Sequence, residues 1–199
     1  MDVTLLTRRL VLRQPRPDDC RRLAMLLNNF AVSGKLARVP YPYAQTDAQW
    51  WVGTWRPDAP PGETGFVMEL AGEGLIGHCG FHTQGCETLV GYWLGEPFWN
   101  RGFMTEAVAA AIDWFFAAGT DDRLVSGVFA FNKASLAVQR KLGFTETGIS
   151  RKHCLARNEE LRHIDTELTR AHWEERRSMQ RHAAGGVEFL RMGTADEIP

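Results

Sequence analysis

The sequence predicts one α/β (α+β) domain with a mixed, mostly antiparallel central sheet flanked by helices. Three observations predict it. Residues 65–70, 75–84 and 88–95 are successive strand-like runs punctuated by glycine and polar residues, the pattern of an antiparallel meander. Residues 103–118 place Phe103, Ala107, Ala110, Ala111, Trp114, Phe115 and Ala118 on one helical face. A chain of 199 residues, 44% of them hydrophobic, is long enough to bury one sizeable core.

The elements follow in order. Thr7 to Arg13 alternates weakly and reads as a first strand. Pro17-Asp18-Asp19 starts a helix with acids in its first turn, and Leu23, Leu26 and Leu27 give it an apolar face. Residues 30–61 are irregular and rich in aromatics and proline. Within them Thr46 or Asp47 can cap a short helix carrying Trp50, Trp51 and Trp55. After the meander comes the long helix, which Gly119 ends. Leu124 to Phe131 reads as a strand, 133–142 as a helix, and about 144–155 and 161–169 as two further strands; a charged stretch begins at Arg170. The domain is expected over residues 1–182, with 183–199 a C-terminal tail. There are no internal repeats or low-complexity linkers.

A net charge of −1 argues against a nucleic-acid partner held by bulk charge. The N-terminal residues lack the apolar run of a signal peptide, and no window is apolar for the ~18 residues of a membrane span. A cytoplasmic protein without membrane contacts is expected. Cys20, Cys79, Cys86 and Cys154 are scattered without a C-x-x-C pair and read as free, buried thiols.

Two stretches carry the chemistry. In Trp99-Asn100-Arg101-Gly102-Phe103-Met104-Thr105-Glu106-Ala107, a glycine turn joins a strand to a helix whose N-terminus is open to an anion. Gly102 allows a sharp bend and close approach, Arg101 adds a positive charge, and the amides of residues 101–105 can cradle a diphosphate. Glu106 would repel phosphate and reads as an acid that holds the helix start. The second stretch runs from Asn132 through Ser135 to Lys141-Leu142-Gly143-Phe144, a short helix that starts at an asparagine and stops at a glycine. A third string, Gly72-Glu73-Gly74-Leu75-Ile76-Gly77, satisfies G-x-G-x-x-G but leads into a strand, so a hairpin turn explains it better than a dinucleotide site. His78 and His82 share a strand face but stand about 13 Å apart along it, too far for one zinc; no metal is expected.

The strings W-x-R-G-x-x-T-E-A and N-x-x-S-x-x-x-x-x-K-x-G-F together resemble the acyl-CoA site of the GNAT superfamily of N-acetyltransferases, in its RimJ/RimL-like branch, over roughly residues 7–175. The resemblance implies a sheet splayed at the acyl-CoA site, between the strands at 88–95 and 124–131. It implies acetyl-CoA as co-substrate, held by Trp93, Leu94, Arg101, Gly102, Phe103, Met104, Thr105, Asn132, Ser135, Arg140 and Lys141. It implies acetyl transfer to a primary amine (a protein N-terminus, an amino acid or a small-molecule amine) by direct attack on the thioester, with a backbone N–H near Leu94 stabilising the oxyanion. Ser135 would lie near the sulfur and donate to the leaving thiolate. His82 is the candidate base, with His78, His153 and Glu69 behind it. The acceptor pocket would draw on the aromatic segment, with Tyr41, Trp51 and Trp55 lining it. Members of the branch are often homodimers. The chain departs from the family pattern at Met104, where a small residue is usual, at Gln139, where many relatives place a tyrosine acid, and before Gly91-Tyr92-Trp93, where the branch often carries a glutamate. A CoA-binding sensor or scaffold without turnover, or a transferase of a larger acyl group such as succinyl, are the alternatives.

Overall fold

Two glycine-bearing turns set the meander. The computed structural model describes residues 3–183. In it Gly72 and Gly74, at φ 80° and 71°, turn strand β3 (Gly65–Leu70) into β4 (Gly74–Gln84). Gly85, at φ 63°, turns β4 into β5 (Glu87–Leu94). A positive φ costs an L-residue about 1–2 kcal/mol, which explains glycine at these corners. The G-x-G string is therefore a hairpin turn, as expected.

The first strand is split. β1 (Thr4–Leu6) and β2 (Leu10–Arg13) pair antiparallel, with a turn at residues 7–9 where one continuous strand was expected. The turn is closed locally, Thr7 N–H donating to the Leu10 carbonyl and the Leu10 amide to Thr7 Oγ1, both at 2.9 Å, and it is fastened from a distance by Glu106, which accepts from the Thr7 hydroxyl at 2.7 Å, the Arg9 amide at 2.8 Å and Arg9 Nε at 2.7 Å. After β2 come a 3-10 turn at Pro17–Asp19, α1 (Cys20–Leu27), the short α2 (Phe30–Ser33) and α3 (Gln45–Gly53). The N-cap of α3 is Ala44, whose amide donates to Asp47, and Trp55 lies just past the helix end. α4 (Phe103–Ala118) and α5 (Lys133–Leu142) have the expected bounds. β6 (Arg123–Phe129), β7 (Thr145–Cys154) and β8 (Glu159–Thr169) complete the sheet, and the charged stretch forms α6 (Arg170–Ala183). Residues 184–199 of the expected tail lie outside the described residues. Cys20, Cys79 and Cys154 are buried, but Cys86 is exposed, because it occupies the β4–β5 turn.

The strand order is β1-β2-β3-β4-β5-β6-β8-β7, antiparallel except for β5 beside β6. Side chains alternate across this sheet and sort the helices onto two faces. Phe81 stacks on Phe115 of α4 at 4.6 Å and Phe66 meets Trp114 edge to face at 5.2 Å, so odd-numbered β4 residues and their partners face α4. His78 packs against Trp51 and Trp55, so even-numbered β4 residues face α3. Register carries this across to β5: Tyr92, opposite Cys79, faces the α4 side, and Trp93, opposite His78, faces the α3 side. Among the described residues no helix is long and apolar enough to cross a membrane.

Candidate active site

The site begins where the sheet opens. β5 and β6 share a single ladder pair, Leu89 with Val125, and no ladder continues beyond it. Hydrogen-bond alternation shows which groups face the opening. The Gly95 amide donates to the Ile76 carbonyl at 2.9 Å, so His78/Trp93 is also a hydrogen-bonded pair of the antiparallel ladder, while Gly77/Leu94 is not. The backbone groups of Val90, Tyr92 and Leu94 therefore point toward β6. Two observed bonds agree: the Val90 carbonyl accepts from Ser126 Oγ at 2.9 Å, and the Leu94 carbonyl accepts from Trp99 Nε1 at 2.7 Å. The amides of Tyr92 and Leu94 thus face a gap in which β6 offers no ladder partner. A carbonyl oxygen seated there would meet a backbone donor.

The α4 N-terminus lies a few residues further along the chain. Its first intrahelical bond runs from the Glu106 amide to the Gly102 carbonyl, so the amides of Phe103, Met104 and Thr105 point out of the helix end. No side chain caps them. Gly102 adopts φ 77°, and Arg9 Nη2 lies 3.5 Å from where a Cβ would sit. Two guanidinium groups flank the turn: Arg101 lies over the Phe103 ring at 4.8 Å and Arg9 over the same ring at 4.4 Å, with Arg9 Nη1 donating to the Arg101 carbonyl. Open amides, the helix dipole and these cations suit a diphosphate. The side chain of Met104 is buried in the core, so its length does not obstruct the exposed end. Glu106 is pushed up by burial, but the bonds from Thr7 and Arg9 outweigh this and leave its pKa below the ordinary carboxylate value.

Beside the α4 N-terminus, between it and the C-terminal end of α5, a groove of about 450 Å³ is lined by Gly102, Thr105, Lys141 and Arg176. Arg140 is not part of it; the side chain pairs with Glu146 at 2.7 Å. A larger concavity, about 680 Å³, includes Trp55 and Arg13 but no residue of the splay or of the α4 turn.

At the base of the splay, α5 closes the α4 face. The Asn132 side chain accepts the Ser135 amide at 3.3 Å. The Ser135 hydroxyl donates to the Tyr92 phenol oxygen at 3.0 Å, and that phenol donates to the Ser135 carbonyl at 3.2 Å. Gln139 is buried; it donates to Ser126 Oγ at 2.8 Å and accepts from Thr166 at 3.0 Å, pinning α5 to β6 and β8. Gln139 is therefore a structural amide, and a phenol reaches Ser135 from β5. Burial pushes the Tyr92 hydroxyl up to about 12 against the bonds from Ser135 and Gln139, so it is protonated at neutral pH.

The opposite face is aromatic and cationic. Trp51 and Trp55 touch edge to face at 5.4 Å, with His78 against both, so they form a wall with no slot between them. Tyr41 packs on Phe30, Arg157 sits between Phe30 and Phe131 at 4.9 and 4.8 Å, and Phe131 immediately precedes Asn132. Lys35 lies over Trp99 at 3.8 Å. Tyr92, Arg9, Phe131, Lys35 and Arg157 were not singled out as site residues from the sequence. For Tyr92 the available signal was strand alternation, which puts it on the face opposite Gly91 and Trp93; only the sheet order brings that face to α5.

The histidine candidates differ. His78 is fully buried and pushed down to about 3 by desolvation; its Nε2 and the nearby Trp55 Nε1 have no partner. His82 is pushed down to about 4 by burial and by Arg38, whose Nη2 lies 3.0 Å from His82 Nε2. By register it stands opposite Leu89, four residues and about 13 Å from Trp93. His153 faces Glu160 in the β7–β8 hairpin, and Glu69 is bound to Arg13 at 2.6 Å.

This geometry has relatives. Residues 9–145 match the family described as Acetyltransferase (GNAT) domain, so the chain belongs to the GNAT acetyltransferase family. It is similar to the probable N-acetyltransferase YjcK of Bacillus subtilis (strain 168), 38% identical over 64 residues, 32% of this chain and 35% of that protein. It is also similar to the [ribosomal protein uS5]-alanine N-acetyltransferase of Escherichia coli (strain K12), 29% identical over 84 residues, 42% of this chain and 43% of that protein. These matches span less than half the length of the curated relatives. Among solved structures, Mycobacterium smegmatis RimJ in complex with CoA-disulfide superposes with a TM-score of 0.75 at 22% identity, over 92% of this chain and 94% of that one. RimL, the ribosomal L7/L12 alpha-N-protein acetyltransferase in complex with coenzyme A, gives 0.70 at 18%, over 84% and 98%. At these identities the structures establish the shared fold.

Proposed function

We propose that this chain transfers an acetyl group from acetyl-CoA to the α-amine of a peptide, amino acid or small molecule by direct attack on the thioester. The observation that carries this reading is the opened β5–β6 pair with the Leu94 amide aimed into it, within reach of the uncapped N-terminus of α4. The diphosphate lies on the amides of residues 103–105 between Arg9 and Arg101. The pantetheine runs through the splay, and the thioester carbonyl accepts from the Leu94 amide, which also stabilises the tetrahedral oxyanion. The amine nitrogen forms its bond to the carbonyl carbon. The C–S bond then breaks with its electron pair on sulfur, and the surplus amine proton leaves to water.

Attack requires a neutral amine. An α-amine of pKa about 7.7–8.0 is roughly a tenth neutral near pH 7, whereas a lysine near 10.4 is well under a thousandth neutral. An α-amine therefore needs no strong base, and none is placed here: His82 is kept neutral by burial and Arg38 and stays outside the proton path. Lys35, Arg38 and Arg157 on the acceptor side disfavour a polyamine. Thiol release from acetyl-CoA tests the reading with a panel of an alanine-initiated peptide, free amino acids and spermidine. Release with the peptide or an amino acid and none with spermidine is expected; release with spermidine alone contradicts the acceptor assignment.

A further inference from the structure

Ser135, in the first turn of α5, meets Tyr92 of β5, and its hydroxyl is not a free donor. It gives its hydrogen to the Tyr92 oxygen at 3.0 Å, while Tyr92 gives its own to the Ser135 carbonyl at 3.2 Å. The two bonds close a loop between β5 and α5. Both rotors can turn, because a hydroxyl carries one hydrogen and two acceptor sites. If Tyr92 swings its hydrogen onto Ser135 Oγ, the Ser135 hydrogen is released toward the gap. The surroundings favour such a reciprocal pair. The Asn132 side chain fixes the Ser135 amide, and the bonded groups around the pair (Asn132, Gln139, Ser126 and Thr166) carry no charge. Strand alternation sends the Tyr92 ring to the α5 face, while its backbone amide faces the gap where the thioester would lie.

We propose that Tyr92 is the positioning residue for the thioester sulfur: it holds the Ser135 hydroxyl in the resting site and, by reversing their shared hydrogen bond, turns that hydroxyl toward the thiolate as it forms. The step moves hydrogen bonds only. The sulfur keeps the electron pair of the broken C–S bond, and neither hydroxyl loses its proton. This rests on the acetyl-CoA reading and adds a residue to it. A phenol thus supports the leaving group from the strand, while Gln139 of α5 holds that helix to β6 and β8.

The test needs no acceptor. Binding of CoA and of desulfo-CoA is measured by calorimetry between pH 6.5 and 9.5 on the full chain. A hydroxyl that donates to the thiolate lowers the bound thiol's pKa below the free value, taken as about 8.5 from cysteine. CoA then gains affinity over desulfo-CoA as pH rises through that window, and the desulfo control cancels every other titration. About a tenfold gain is expected in the native protein, lost in both Tyr92→Phe and Ser135→Ala, with no further loss in the double variant. Desulfo-CoA affinity should stay the same in all four proteins, which shows that the variants fold and bind. A full gain retained in Tyr92→Phe makes Tyr92 a packing residue and overturns the proposal. Equal binding of CoA and desulfo-CoA at all pH values in the native protein also overturns it, while leaving the CoA site standing. Binding of neither removes the acetyl-CoA reading itself, and the proposal with it.

Discussion

Replacing Glu106 should unfasten the phosphate end of the molecule from its first hairpin. Its carboxylate accepts from the Thr7 hydroxyl, the Arg9 amide and Arg9 Nε, all within 2.8 Å. Its side chain is 18% exposed and that of Arg9 32%. A bond to a charged group contributes about 1.5–3 kcal/mol when shielded. Solvent screening reduces the Arg9 ion pair to about 1 kcal/mol or less. Glu106→Ala also leaves the Arg9 amide and the Thr7 hydroxyl to find water, so a net loss of about 2–4 kcal/mol follows. For a chain of this size that is a fall in Tm of about 5–12 °C. Glu106→Gln keeps an acceptor oxygen and should cost about half as much. The pH dependence follows from the lowered pKa: the contribution is present above the unfolded carboxylate value, about 4.3, and is lost as pH falls through the lower folded value. Urea melts at pH 7 and at pH 3 measure this directly. The native and Glu106→Gln proteins should differ at pH 7 and converge in acid. A loss below 0.5 kcal/mol in Glu106→Ala at pH 7 would show that β1–β2 pairing alone makes the turn.

Other consequences are equally direct. Gly102→Ala forces an L-residue to φ 77° and should cost about 1–2 kcal/mol along with much of the acetyl-CoA affinity, measured by melting and calorimetry. Gln139→Leu leaves the buried Thr166 hydroxyl without its acceptor and should cost about 1–3 kcal/mol; a neutral result in denaturant melts would mean the amide does not pin α5. With its pKa near 4, His82 is neutral from pH 5 upward, so the rise of kcat/KM with pH should follow the acceptor amine near 8. A limb near pH 6 that His82→Asn abolishes would place the histidine back in the proton path.

What the sequence made legible was local. α4 could be bounded because Phe103 through Phe115 repeat at helical spacing between Gly102 and Gly119. α5 could be bounded by Asn132 and Gly143 for the same reason, and the hairpin at Gly72 was distinguishable from a nucleotide loop by the strand that follows it. The motif strings located the amide cradle and the Ser135 turn. What stayed hidden depends on partners far apart in the chain. The turn at Thr7 is fastened by a carboxylate in α4. Tyr92 meets Ser135 across the splay, and Arg157 reaches back between Phe30 and Phe131. No periodicity within a window of fifteen residues encodes such pairs. Gln139 shows the same limit: its place on α5 was readable, but its role as a buried link to β6 and β8 was not.

The central claim, an acetyl-CoA site in the splay fed from the α4 N-terminus, is tested most directly by thermal melts of the native chain and of an Arg101→Glu, Gly102→Asp variant, with and without acetyl-CoA. At a hundredfold excess over Kd, binding contributes about 2.7 kcal/mol, a rise in Tm of about 5–10 °C. The account predicts that rise in the native protein and its loss in the variant. An unchanged native Tm at millimolar acetyl-CoA, or an equal rise in both proteins, contradicts it.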